Sequence, residues 1–182
     1  MPLPSYSGTN RRDLNPALET LVSPPIRQTT SQRVVELNSQ NAPVVATAYL
    51  LALQTATAGA AALVGFTAEV SDTDTIHDNA VNNSRFVIPA GKPGTYRIVS
   101  RLSIDVNAGN LTDFEIRVLV NGVEVADELA GAQTADFAIQ IAHEQFMNDG
   151  DYYEIQVLSS GNNSDIKPGV STSYVSVTKQ LV

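Results

Sequence analysis

The sequence contains no cysteine and no tryptophan, and only two histidines and two methionines. The absence of cysteine excludes a disulfide framework, a thiolate metal site and a cysteine nucleophile. So few imidazoles leave little material for a metal or acid–base centre. Basic residues are scarce as well: 11 Lys and Arg stand against 19 Asp and Glu, a net charge of −8. A chain this acidic has no basic face to lay on phosphates, so nucleic acid is not an expected partner. What the 182 residues do hold is 43% apolar content, enough to fill one core. The length fits one domain plus additional chain.

Proline and charge are unevenly spread. Six of the nine prolines (Pro2, Pro4, Pro16, Pro24, Pro25 and Pro43) fall in residues 1–45. That segment carries four arginines against three acidic residues, net +1, whereas 46–182 carries seven basic against sixteen acidic, net −9. Proline lacks the N–H that a ladder needs and disfavours helix at the residue before it. Residues 1–45 therefore read either as an extended docking arm that orders against a partner or as a tail that stays unfolded. A short helix around Asn15–Leu21 is compatible with the composition, with Asn15 as cap and Pro16 at the first helical position. Arg11 and Arg12 precede Asp13 rather than an apolar run, so a secretory leader is not expected.

From Pro43 to Thr67 the chain has no charged residue. The stretch is long enough for a bilayer, but it is built of Ala and Thr, with Gln54 and Gly59, and no basic cluster flanks it. Its transfer into lipid gains little, so a membrane partner is not expected. A strand or Ala-rich helix over Val44–Leu53, a small-residue turn over Thr55–Ala60 and a strand over Ala62–Val70 fit better. The small residues Ala58–Ala62 also suit close approach of identical chains. We treat 46–61 as a connecting segment and 62–182 as the folded domain.

Within 62–182 a period of two recurs. Tyr96, Ile98, Leu102, Ile104 and Val106 share one parity with Ser100, and Arg97, Arg101, Ser103 and Asp105 share the other. That alternation predicts a half-buried strand. Phe114, Ile116, Val118 and Val120 repeat it, as do Phe137, Ile139 and Ile141, and then Tyr153, Ile155 and Val157. Asn121-Gly122 predicts a tight type I′ hairpin, because both central residues need positive φ. Met147–Asp151 reads as a turn, Ser160–Ser164 and Lys167–Gly169 as loops, and Ser173–Val182 as a closing strand. Many short antiparallel strands imply an all-β sandwich or barrel.

Phe86-Val-Ile-Pro89, Gly94-Thr-Tyr96, Leu119-Val-Asn121-Gly122, Asn148-Asp-Gly150-Asp151 and the closing Ser173-Tyr174-Val-Ser-Val-Thr follow one another in an order that resembles the jelly-roll head of complement and tumour-necrosis-factor (TNF) type. Two departures are the extra turn residues Gly91-Lys92 and a closing strand that is not rich in aromatics. The resemblance implies an antiparallel jelly-roll sandwich and a homotrimer. For the trimer interface it directs attention to Tyr96, Tyr152, Tyr153 and Tyr174, which otherwise serve as ordinary core or rim residues. A cysteine-free jelly roll behind a proline-rich arm is similar to small structural proteins of tailed-phage virions. That similarity implies a capsid decoration (cement) or short head-fibre subunit at the capsid surface, with the major capsid protein or another virion protein as partner. The arm would then dock on the shell. Arg11, Arg12, Arg27 and Arg33 would pair with acidic patches, and Tyr6, Leu14, Leu18 and Leu21 would fill apolar pockets.

Catalytic material is thin, and an enzyme is not expected. His143-Glu144 lacks the second histidine of a zincin helix, and Gly91-Lys92-Pro93-Gly94 lacks the spacing of a phosphate loop. Asp72, Asp74 and Asp78 beside His77 offer a hydrated cation site or a solvated turn; the spacing does not match a calcium loop, so the turn is favoured. No cofactor is implied. Asn82, Asn110 and Asn162 begin sequons, which here read as turn residues. No exposed Trp platform marks a sugar site. The second functional class is a surface or secreted recognition module, an adhesin or complement-like ligand, using the loops Asp72–Asn83 and Asn107–Asp113.

Overall fold

A computed structural model describes residues 43–107 and 109–181, and these form twelve strands and no helix. No helix among them is long and apolar enough to cross a membrane. The strands are β1 (Val45–Tyr49), β2 (Gln54–Ala56), β3 (Ala61–Leu63), β4 (Ala68–Asp72), β5 (Arg85–Val87), β6 (Gly94–Asp105), β7 (Asp113–Val120), β8 (Val123–Ala130), β9 (Phe137–Met147), β10 (Tyr152–Ser160), β11 (Ser164–Ile166) and β12 (Tyr174–Lys179).

Two antiparallel sheets face each other. In the seven-stranded sheet, β9 runs along one edge of β6, while the other edge of β6 is shared by β12 and β11. Beyond β12 lie β1 and β4, and beyond β11 lies β2. In the five-stranded sheet β10 is the centre, with β7 then β8 on one side and β5 and β3 on the other. The chain changes sheet at β2/β3, β3/β4, β4/β5, β5/β6, β6/β7, β8/β9, β9/β10 and β10/β11. That repeated crossing makes the domain the expected jelly roll.

The parities read from the sequence hold. Tyr96, Ile98, Ser100, Leu102 and Ile104 point inward from β6, and Phe114, Ile116, Val118 and Val120 from β7. Asn121 and Gly122 have φ of 51° and 77°, the paired positive values of a type I′ turn, and they join β7 to β8. The connecting segment assigned to 46–61 is corrected: it supplies β1 and β2 of the seven-stranded sheet. Ala46 and Ala48 are fully buried while Val45, Thr47 and Tyr49 alternate outward, so the period of two is present. It is faint in the sequence because alanine, the inward residue, is barely apolar. The single strand expected over Ala62–Val70 is divided between β3 and β4, which lie in different sheets with Val64 and Phe66 buried between them.

The two inner faces are joined by more than apolar contact. Tyr153 on β10 donates its hydroxyl across the core to the Tyr96 carbonyl of β6 at 3.1 Å, and Tyr96 donates its own to the Lys92 carbonyl at 2.7 Å. Both side chains are fully buried, so neither reaches a subunit interface as the resemblance implied. A phenol that finds a carbonyl inside the core keeps its ring there. Among the described residues no buried side-chain polar atom lacks a partner.

Burial pushes both phenols up to about 12. The folded chain thus holds them neutral while the unfolded chain ionises them near 10. Their contribution to stability is fully present below that value and is lost as pH rises through about 12. In an alkaline titration followed by phenolate absorbance, two of the six tyrosines should ionise only together with loss of the sheet signal. Six tyrosines titrating in the folded state would contradict this packing.

Candidate functional site

The outer face of the seven-stranded sheet is the most continuous candidate surface. Register places Thr47, Ser176, Val99 and Ala142 in one row across β1, β12, β6 and β9. The flanking rows are Tyr49, Tyr174, Arg101, Gln140 and Val45, Thr178, Arg97, Glu144, with Phe146 opposite Thr95 at the end of β9. The central row is short and uncharged, and Thr47 and Ser176 share a hydroxyl–hydroxyl hydrogen bond of 3.2 Å. Phe146 is 62% exposed. Among the described residues neither Arg97 nor Arg101 is ion-paired with a carboxylate; Arg101 donates to the Ser171 carbonyl.

The outer face of the five-stranded sheet is different. Arg117 there bonds Glu115 at 2.7 Å and reaches Glu124 at 3.3 Å, and Arg85 holds Glu154 at 3.0 Å. Charges that satisfy one another in this way describe a face made for water. The central row of short, uncharged side chains on the seven-stranded face leaves little to desolvate when a second surface covers it.

The four tyrosines singled out by resemblance therefore separate. Tyr174 lies on the seven-stranded outer face beside Tyr49, which belongs to the stretch Val44–Leu53 that the sequence leaves open between strand and Ala-rich helix. Tyr152 lies at the loop end, beneath the Arg85 guanidinium at 4.3 Å from its ring centre. Tyr96 and Tyr153 are core. The arm residues Tyr6, Arg11, Arg12, Leu14, Leu18, Leu21, Arg27 and Arg33 lie outside the described residues.

At the loop end the acidic residues cap backbone. Asp72 accepts the N–H groups of Asp74, Ile76 and His77, and Asp78 accepts those of Ala80 and Val81. The Val81 and Ala80 donors hold the Asp78 carboxyl below the ordinary range. Among the described residues no three His, Asp or Glu side chains converge as metal ligands. His77, 5% exposed, is a latch. Its Nδ1 lies 2.9 Å from Glu69 Oε1, its Nε2 lies 3.0 Å from the Asn83 carbonyl oxygen, and its ring stacks on Phe86 at 4.6 Å. Gly65 permits the approach, since a Cβ there would sit 2.6 Å from Asn83 Oδ1. His143, on β9 opposite Ile98, bonds Gln145 at 3.0 Å.

No family model matches the chain, and no curated protein matches it. Solved structures do match in fold. Murine APRIL aligns with a TM-score of 0.57 at 8% identity, over 76% of this chain and 99% of that one. Eiger TNF from S. frugiperda gives 0.54 at 8%, over 76% and 92%. The globular domain of zebrafish complement 1qA gives 0.51 at 13%, over 76% and 97%. The architecture is thus the TNF and complement jelly roll.

Replacing the latch tests its weight. His77→Leu keeps apolar bulk against Phe86 but removes the ring's bonds to Glu69 and to the Asn83 carbonyl, which retains only the Phe66 N–H. We expect a loss of about 2 kcal/mol in denaturant unfolding and faster amide exchange confined to the segment from Asp74 to Arg85. Unchanged stability and exchange would show that the ring is a passenger.

Proposed function

We propose that the protein is a non-enzymatic structural subunit that assembles as a homotrimer through the outer face of its seven-stranded sheet. The observation that carries this reading is the uncharged row Thr47, Ser176, Val99 and Ala142, set against the ion-paired outer face of the other sheet. A ring of three uses two different patches on each copy, and such a contact closes without leaving an open end. Tyr49, Tyr174 and Phe146 border the row and supply amphipathic area at its margin.

The setting that fits this subunit is a virion, where it serves as a capsid decoration or short head-fibre protein. Support comes from the sequence. A segment of net charge +1, rich in proline, precedes a body of net charge −9. The segment is the attachment device, and its arginines suit an acidic shell surface; the acidic body projects and keeps the particle soluble.

Three copies of the 19.4 kDa chain weigh about 58 kDa. Light scattering should return that mass for the wild type. Val99→Glu places a charge in the middle of the row and should return the monomer mass with an unchanged far-ultraviolet spectrum. A wild-type monomer, or a Val99→Glu protein that still assembles, would refute the interface. Deleting residues 1–40 should leave the mass per assembly at three bodies while abolishing attachment to particles; full-strength attachment would refute the docking role.

A further inference from the structure

The loop end carries a cleft of about 460 Å³ between the segment from Thr75 to Val87 and the start of β10. Its size lies within the range of small-molecule sites. Its walls belong to one chain, so the inference below stands apart from the assembly reading. Among the lining residues Val81 is 62% and Val87 39% exposed, which puts two apolar patches beside Tyr152.

Around those patches stand polar groups of both kinds. Arg85 is fixed by its Nε bond to Glu154, a carboxylate only 3% exposed, and by stacking on Tyr152. Among the described residues its two Nη groups have no protein acceptor. The Asn82 amide likewise has no side-chain partner there, nor has the Tyr152 hydroxyl. Asp78 spends Oδ1 on two backbone donors and keeps Oδ2 for another. Thr75 and Asn82 hold φ of 55° and 57°, and both line the cleft. For a β-branched residue such as Thr75 that conformation is strained and persists because the Asp72 cap and the His77 latch fix its neighbours.

This set selects among ligands. A simple anion meets Asp78, and the Arg85 charge is already matched by Glu154. A metal ion finds too few ligands. An apolar molecule would strip water from Arg85, Asn82 and Asp78 without replacing its bonds. A pyranose ring answers every wall: each hydroxyl both donates and accepts, and the ring's C–H face covers valine and tyrosine. We propose that this cleft binds a glycan, seating one sugar ring against Val81, Val87 and Tyr152. Its hydroxyls donate to Asp78 Oδ2, accept from the Arg85 Nη groups and both donate to and accept from the Asn82 amide.

The test is saturation-transfer NMR on the full chain with the methyl pyranosides of glucose, galactose, mannose and N-acetylglucosamine, followed by calorimetry of those that respond. At least one should bind with a dissociation constant of about 1–10 mM. Asn82→Gly keeps the positive φ and removes the amide. Asp78→Asn keeps the turn acceptor and removes the charge. Tyr152→Phe keeps the ring and removes the hydroxyl. Each should weaken binding about fivefold or more, whereas Val170→Thr at the opposite end should leave it unchanged. The proposal is overturned if no pyranoside in the panel shows transfer, if transfer survives all three cleft variants, or if equimolar sodium acetate displaces the sugar.

Discussion

The structure depends on the closure of two sheets over one core, and the hydroxyl of Tyr153 makes a buried polar bond across it. A jelly roll gains its stability by burying two inner faces, and each polar group taken along must find a partner there. Tyr153 finds the backbone of β6, and Tyr96 finds the turn before that strand. With both satisfied, the sandwich is fixed in the relative position of β6 and β10. Those are the central strands of the two sheets, so every outer face and every loop takes its place from them.

The two outer faces then diverge by chemistry rather than by shape. One balances Arg117 with Glu115 and Glu124. The other offers hydroxyls, an alanine and a valine in a row, with aromatic residues at its border. Water suits the first, and a second protein surface suits the other. The loop end adds a third surface, in which carboxylates cap backbone donors and leave a strained, polar-rimmed cleft. On the proposed reading, assembly and ligand capture would fall to separate parts of one body.

Much of this was legible in the chain. The parities of β6, β7 and β10 follow from strongly apolar residues set against charged ones, and Asn121-Gly122 fixes its hairpin through backbone sterics alone. Three things were not legible, each for a physical reason. β1 alternates alanine with valine, threonine and tyrosine, a contrast too weak to separate strand from helix or linker. Tyrosine serves core and surface equally, so although parity sets Tyr96 and Tyr153 inward, their exclusion from an interface follows only from the carbonyls that hold their hydroxyls inside. The cleft joins residues near 75–87 to Gly150 and Tyr152, and the row joins four strands from 47 to 176; neither adjacency exists until the chain has crossed between sheets.

The absence of cysteine makes the central claim, that copies meet through the seven-stranded outer face, directly measurable. Cysteines introduced singly at Ser176 and at Val123, which is 66% exposed on β8, can be labelled with maleimide in the assembled protein. The account predicts that the Val123 site reacts at the rate of a free thiol while the Ser176 site is protected until the assembly is dissociated. Equal, rapid labelling at both positions in an intact assembly would contradict it.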